Sequence, residues 1–228
     1  VPEMLESIKN EFQKKIINDP DIKALTKKLR EGNADYEDAN AYASKVGELL
    51  SKTFGQKIKI DLLPDGRMYF NIADRVVGTM LDNMYKLSAD YSQKVQSDIN
   101  KKNGYGLAGI SGKVDPDRKR NFIDKISDSE EFADVDWMLG ESVVNYSQAA
   151  VSDTIKANAE FQANAGVKGT IERILAPGCC AWCEKLAGTY SYPDVPAEVY
   201  MKHKDCGCEL IYTPKANNGN KRIVWSKR

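Results

Sequence analysis

The residues best suited to chemistry lie in one short stretch near the carboxyl end. All five cysteines and the only histidine of the chain fall there. Cys180 and Cys183 form a C-x-x-C pair, and His203 with Cys206 repeats that separation as H-x-x-C, with Cys208 one glycine later. At this spacing a tight turn directs two ligand atoms at one tetrahedral metal ion. The pattern predicts a closed, structural Zn²⁺ site.

The candidate ligands outnumber the four positions of such a site. We expect Cys180, Cys183 and His203 to bind, with either Cys206 or Cys208 as the fourth ligand. Cys179 is expected to stay outside, because two adjacent residues seldom both reach one ion. The alternative is a disulfide with free thiols, which an oxidising environment would favour. An odd, clustered set of cysteines is more typical of metal ligands in a reducing cytosol.

The same residues argue against most histidine-dependent enzymes. No βαβ pattern precedes Cys180, as a thioredoxin-like redox motif would require. A thiol protease or acyltransferase needs a free cysteine and a free histidine in contact. If His203 binds zinc, the chain has no second histidine to act as a base. We therefore predict a non-enzymatic protein without catalytic residues.

Composition sets the broad class of the protein. The chain has 228 residues, of which 42% are hydrophobic and 29% charged, as in a folded domain. Its 33 basic and 33 acidic residues cancel, which disfavours a polycation that coats nucleic acid. No run is long and apolar enough for a membrane helix, and the opening residues lack the pattern of a secretory signal. We expect no membrane association.

Helical spacing dominates residues 1–168. An apolar stripe marks a first helix, Asp19-Pro20 is a helix start signal, and a third helix is predicted over 35–54. Met80 and Met84 lie at core spacing in a later helix, and a long helix is predicted from Trp137 to 164. The stripe comprises Leu5, Ile8, Phe12 and Ile16.

Two segments of this body depart from helical spacing. Around 57–71, two short β-prone runs flank Pro64-Asp65-Gly66, which predicts a β-hairpin. From 103 to 113 four glycines predict an exposed loop, since the spacing does not match a phosphate-binding P-loop. The acidic residues between 124 and 136 are expected to form a solvated surface.

The character of the sequence changes after Gly169. Three β-prone runs, over 170–175, 209–213 and 222–225, are separated by Pro, Gly and Cys. The predicted fold class is therefore α+β. A mainly α-helical body covers 1–168, and a small β-rich module over 169–228 is stabilised by zinc and carries a basic tail.

The order of motifs in this module resembles a known family. The C-x-x-C pair is followed by Leu186-Ala187-Gly188, a spacer with Pro193 and Pro196, and the closing H-x-x-C-x-C. Over about 169–214 this is similar to the C-terminal module of phage Mu F-like minor head proteins, also called phage head morphogenesis proteins. Those proteins commonly end in His-Pro-Asn-Cys-Arg-Cys. The proline and arginine of that motif are missing here, but each metal-ligand position is kept.

The resemblance implies a structural virion component, made in the bacterial cytoplasm and placed in the capsid interior. Its implied partners are the portal and major capsid proteins, with roles in head assembly, DNA packaging or ejection. A basic tail after Glu209 fits contact with packaged DNA. Its candidate DNA-binding residues are Lys221, Arg222, Lys227 and Arg228. Two alternatives remain: a phage-encoded effector or toxin enzyme on this scaffold, and a zinc-dependent nucleic-acid-binding module.

Overall fold

The computed structural model describes residues 2–203 and 206–215. Within these ranges the protein is mainly helical with one small antiparallel sheet, which confirms the predicted α+β class. The helices are α1 (Pro2–Asn18), α2 (Pro20–Arg30), α3 (Tyr36–Lys57), α4 (Phe70–Ile72), α5 (Thr79–Lys102), α6 (Pro116–Ser127), α7 (Glu141–Asn164) and α8 (Ala181–Lys185). The strands are β1 (Gly169–Ile174), β2 (Gly188–Ser191) and β3 (Glu209–Pro214). None of the helices described is long and apolar enough to cross a bilayer.

Short polar residues start three of these helices. The Asp19 carboxylate accepts hydrogen bonds from the backbone of Asp21 and Ile22, and Pro20 opens α2. Asp35 begins α3 with a capping box, and Asp115 caps α6 ahead of a proline. Each carboxylate satisfies backbone N–H groups that have no partner inside the helix. The helix start predicted at Asp19-Pro20 is confirmed.

Helices α3, α5 and α7 pack against one another and form the centre of the helical body, residues 2–168. At Gly47 of α3, an added Cβ would lie 2.7 Å from the Cα of Val144, so glycine permits the close approach to α7. Ser88 and Ser147 share a buried 2.9 Å hydrogen bond between α5 and α7. Met80 and Met84 are fully buried, as predicted for core residues.

The hairpin predicted over 57–71 is wrong in its strands but right in its turn. Asp65 (φ 53°) and Gly66 (φ 67°) form a left-handed turn, yet the residues before it form single helical turns rather than a strand. A strand would place Ile58 and Ile60 on one face. Ile58 is buried, whereas Ile60 is 48% exposed, so burial here does not follow a two-residue period.

The glycine-rich segment is docked rather than fully exposed. Side chains of α7 hold its backbone: Asn158 accepts from Ile110 N at 2.8 Å, and Thr154 accepts from Gly112 N at 3.0 Å. A Cβ at Gly109 would collide with the carbonyl oxygen of α5 residue Gln93. Gly104, Gly106, Ala108 and Lys113 are exposed, whereas Leu107 and Gly109 are buried, so the expected exposed loop is correct only in part.

The sheet has strand order β2-β1-β3 and packs against α3 and α7. Asn40 of α3 donates to the carbonyl oxygen of Leu210, and the Tyr212 hydroxyl donates to Gln162 of α7. Strand β2 was not predicted, and the β-prone run at 222–225 lies outside the described residues. We call residues 169–203 and 206–215 the metal module. One side of its sheet closes the core of the helical body.

Candidate metal centre

Antiparallel pairing of β1 and β3 brings the two cysteine motifs together. Ile174, the last residue of β1, pairs with Glu209, the first of β3. The chain that leaves β1 therefore runs beside the chain that enters β3. The first carries the C-x-x-C motif into α8, and the second carries H-x-x-C-x-C. Sheet register thus juxtaposes two motifs that are far apart in the sequence.

The five predicted ligands form one continuous group, which we call the ligand cluster: Cys180, Cys183, His203, Cys206 and Cys208. His203 Nε2 lies 3.0 Å from Cys183 Sγ and 3.3 Å from Cys180 Sγ. Cys183 Sγ lies 3.7 Å from Cys206 Sγ. Two thiolates on one tetrahedral zinc ion are about 3.8 Å apart, given zinc–sulfur bonds of about 2.3 Å. A disulfide needs about 2.05 Å, and all five cysteines are free.

Cys183 is the centre of the ligand cluster. It belongs to a first group with Cys180 and His203 and to a second with Cys206 and Cys208; in each, all ligand atoms lie within 4.8 Å of one another. Both possible fourth ligands thus have their sulfur within 4.8 Å of the same central thiol, and the choice between them stays open. Cys179 belongs to neither group among the described residues.

A buried arginine that the sequence analysis missed lies against this cluster. Arg173 of β1 is only 3% exposed. One guanidinium nitrogen donates to the carbonyl oxygens of Val199 and Met201, and the other faces the sulfurs of Cys183 and Cys206 at 3.4 and 3.6 Å. No carboxylate pairs with Arg173 among the residues described. A buried cation requires a compensating negative charge, which the facing sulfurs of Cys183 and Cys206 would supply as metal-bound thiolates.

A sequence signal for this arginine did exist. Side chains two apart in a strand share a face, so Arg173 lies on the same side of β1 as the fully buried Ile171. Identifying that face as the buried one would have placed a cation in the interior just before the cysteines.

The surroundings of each thiol set its protonation. Burial raises the pKa of Cys183 to about 12, despite the hydrogen bond from Arg173. Burial opposes ionisation of Cys206 as well, but the backbone N–H of Cys208 and the charge of Lys202 outweigh it and lower the pKa of that thiol. The backbone N–H of Cys183 lowers the pKa of Cys180. A metal that binds at neutral pH therefore displaces a proton from Cys183, and its affinity rises with pH.

The donor set can hold a metal ion. Thiolates with one imidazole form the kind of site that binds zinc in a closed tetrahedral shell. The unpaired charge of Arg173 fits such a group, because zinc with three thiolates and one imidazole carries a single negative charge. The predicted nucleic-acid residues Lys221, Arg222, Lys227 and Arg228 lie outside the described residues.

No protein-family profile, curated protein or solved structure matches the chain at a significant level.

Proposed function

We propose that this protein is a structural minor head protein of a phage or prophage, whose metal module is held in shape by one zinc ion. The supporting observation is the convergence of C-x-x-C and H-x-x-C-x-C at two neighbouring strand ends, beside a buried unpaired Arg173. This arrangement follows the motif order by which the module resembles phage Mu F-like proteins. Zinc replaces the apolar core that so small a sheet lacks at its ligand end.

The role we propose is assembly rather than catalysis. His203 is the only histidine of the chain, and its Nε2 lies within hydrogen-bond distance of the thiols of Cys180 and Cys183. If it binds zinc, no histidine is left for proton transfer. The helical body would contact the portal and major capsid proteins in the capsid interior. The basic residues Lys221, Arg222, Lys227 and Arg228 would face packaged DNA.

The zinc part of the proposal is tested by metal content. We expect about one zinc per chain in the purified protein by elemental analysis. Cys183→Ser, which removes the thiol shared by both ligand groups, is expected to abolish binding. Cys179→Ser is the matched control, since it removes a neighbouring thiol outside both groups, and it should retain the ion. Equal zinc content in the two variants would overturn the assignment.

The virion part needs a separate measurement. Particles purified after prophage induction should contain the protein by mass spectrometry, and the tagged protein should co-purify with portal or major capsid protein. A zinc-loaded protein that is absent from particles would refute the head role and leave the metal site intact. Nucleic-acid cleavage that Cys183→Ser abolishes would favour the effector enzyme instead.

A further inference from the structure

A cavity of about 790 Å³ lies between α6, α7 and the segment that leads to His203. We call it the α6–α7 cavity. Its size falls within the range of small-molecule sites. Lys202 and His203 line one end of it, so the cavity adjoins the ligand cluster. The minor head role does not use this cavity.

The charged residues of the wall favour an anion. Lys125 and Lys156 form no ion pair among the described residues. Each lies instead over an aromatic ring at 5.6 Å from its centre, Lys125 over Trp137 and Lys156 over Tyr200. Both lysines and both rings line the cavity. A lysine held on a ring keeps its positive charge available to a ligand.

The other charged residues of the lining do not cancel the positive charge of Lys125 and Lys156. Arg118 donates to both oxygens of Asp153 at 2.7 and 3.2 Å, so this pair is neutral as a unit. The ammonium of Lys202 donates to the carbonyl oxygen of Cys208, and Asp115 is the remaining carboxylate of the lining. The two lysines on the rings therefore leave the wall with a net positive charge.

The wall also contains buried polar atoms without a protein partner. These are the hydroxyls of Tyr146 and Tyr200 and the side-chain oxygen of Asn145, and all three residues line the cavity. Tyr146 is only 3% exposed. These three atoms have almost no solvent-accessible surface, so they are not part of the surface that the cavity presents to a ligand, and the lysines and aromatic rings of the wall carry the inference.

We propose that the α6–α7 cavity binds a nucleotide unit. Its phosphate would contact Lys125 and Lys156, and its base would stack on the rings of Trp137 or Tyr200. Trp137 is 43% exposed, so part of its side chain is accessible from solvent. Paired lysines and aromatic rings are the features by which proteins bind single-stranded nucleic acid without reading its sequence. A free nucleotide offers the same phosphate and base, so the experiment separates the two sources.

The test uses the full-length, zinc-loaded protein with two probes. Fluorescein-labelled dT12 is followed by anisotropy, and deoxyadenosine 5′-monophosphate by calorimetry. The double variant Lys125→Gln, Lys156→Gln should weaken binding about tenfold and reduce the salt slope by about 0.7 for each lysine that contacts a phosphate of the strand. Trp137→Leu should weaken it about tenfold through lost stacking. The matched control is Lys27→Gln, Lys52→Gln, which removes two lysines with side chains 76% and 63% exposed elsewhere.

The outcomes are distinct. Binding of dT12 alone, weakened by both cavity variants but not by the control, identifies a single strand as the ligand. Binding of the mononucleotide with the same sensitivity identifies a free nucleotide. The residues after 215 are common to all variants, so their background binding cancels. Equal affinity in the double variant and the control, or no binding of either probe, would overturn the proposal. Zinc content and thermal unfolding of each variant show whether the fold and the metal site survive, so this failure is separable from that of the proposed function.

Discussion

The helical body and the ligand end of the metal module bury different kinds of side chain. In the body, α3, α5 and α7 enclose a continuous apolar core. At the ligand end, the buried cluster consists of Cys183, Cys206 and Cys208, with Leu175 and Ala176 packed against it. The apolar residues of the sheet, such as Tyr212, belong to the core of the body.

With the proposed zinc ion bound, the two regions of one chain would be stabilised in two different ways. Apolar burial contributes roughly 25 cal/mol per Å² and accumulates over many side chains in the body. At the ligand end few apolar atoms are available, so under the proposed zinc binding metal coordination would supply most of the stabilising free energy. The two regions should therefore respond to different perturbations.

Removal of metal should have the largest effect and should be confined to one region. Structural zinc contributes about 10–16 kcal/mol in small zinc-binding peptides. A strong chelator is expected to abolish amide-exchange protection in α8 and β2 while α3, α5 and α7 keep theirs. Exchange measured by mass spectrometry checks this. In Cys183→Ser, which is expected to lack the ion, the chelator should leave the exchange protection of every element unchanged. Uniform loss of protection, or none, would contradict the separation of the two regions.

A core truncation should give the converse result. Leu50 is fully buried in α3, so Leu50→Ala should lower the free energy of unfolding of the body by about 2–5 kcal/mol. Zinc content should stay the same. Leu62→Ala is the control, because Leu62 is 58% exposed and its loss should cost less than about 0.5 kcal/mol. Denaturant unfolding followed by circular dichroism measures both. If Leu50→Ala released zinc, the two regions would not be independent.

The docked glycine segment offers a smaller test within the body. A Cβ at Gly109 would overlap the Gln93 carbonyl oxygen, whereas a Cβ at Gly106 meets no atom within 4 Å. Gly109→Ala should therefore cost about 1–3 kcal/mol in unfolding free energy. Gly106→Ala should be close to neutral. Equal costs in the two variants would show that the segment is not held against α5.

The helices were largely predictable because their signals are local. Asp19-Pro20 marks a helix start because the Asp19 side chain accepts hydrogen bonds from the first turn of α2, and this signal involves only residues that are adjacent in sequence. The hairpin prediction was wrong because the alternation of apolar and polar residues around Ile58 is too short to distinguish a strand from a helical turn. Docking of Gly109 depends on α5 and α7, which are distant in sequence, and no local pattern encodes it.

The residues of the ligand cluster could be singled out for the same reason, since C-x-x-C and H-x-x-C are local spacings. Their convergence was not, because it depends on the pairing of Ile174 with Glu209. Nor could spacing choose between Cys206 and Cys208, whose sulfurs both lie within 4.8 Å of Cys183 Sγ. Arg173 escaped notice because a charged residue in a strand is usually assigned to the solvent side.

Arg173 gives the smallest of the expected effects on the contrast between the two regions. At this position the ligand end buries a charged side chain, where the helical body buries apolar ones. Arg173→Met keeps an unbranched side chain of similar shape near the backbone but removes the cation from Cys183 and Cys206. Outer-shell partners of metal ligands typically contribute 10–100-fold to affinity, so we expect zinc to bind about tenfold more weakly. Competition with a chromophoric chelator measures this, and Lys168→Met, at an exposed position before β1, is the control. Unchanged affinity would mean that the charge of the zinc–thiolate group is balanced elsewhere, and the ligand end would then be stabilised by coordination alone.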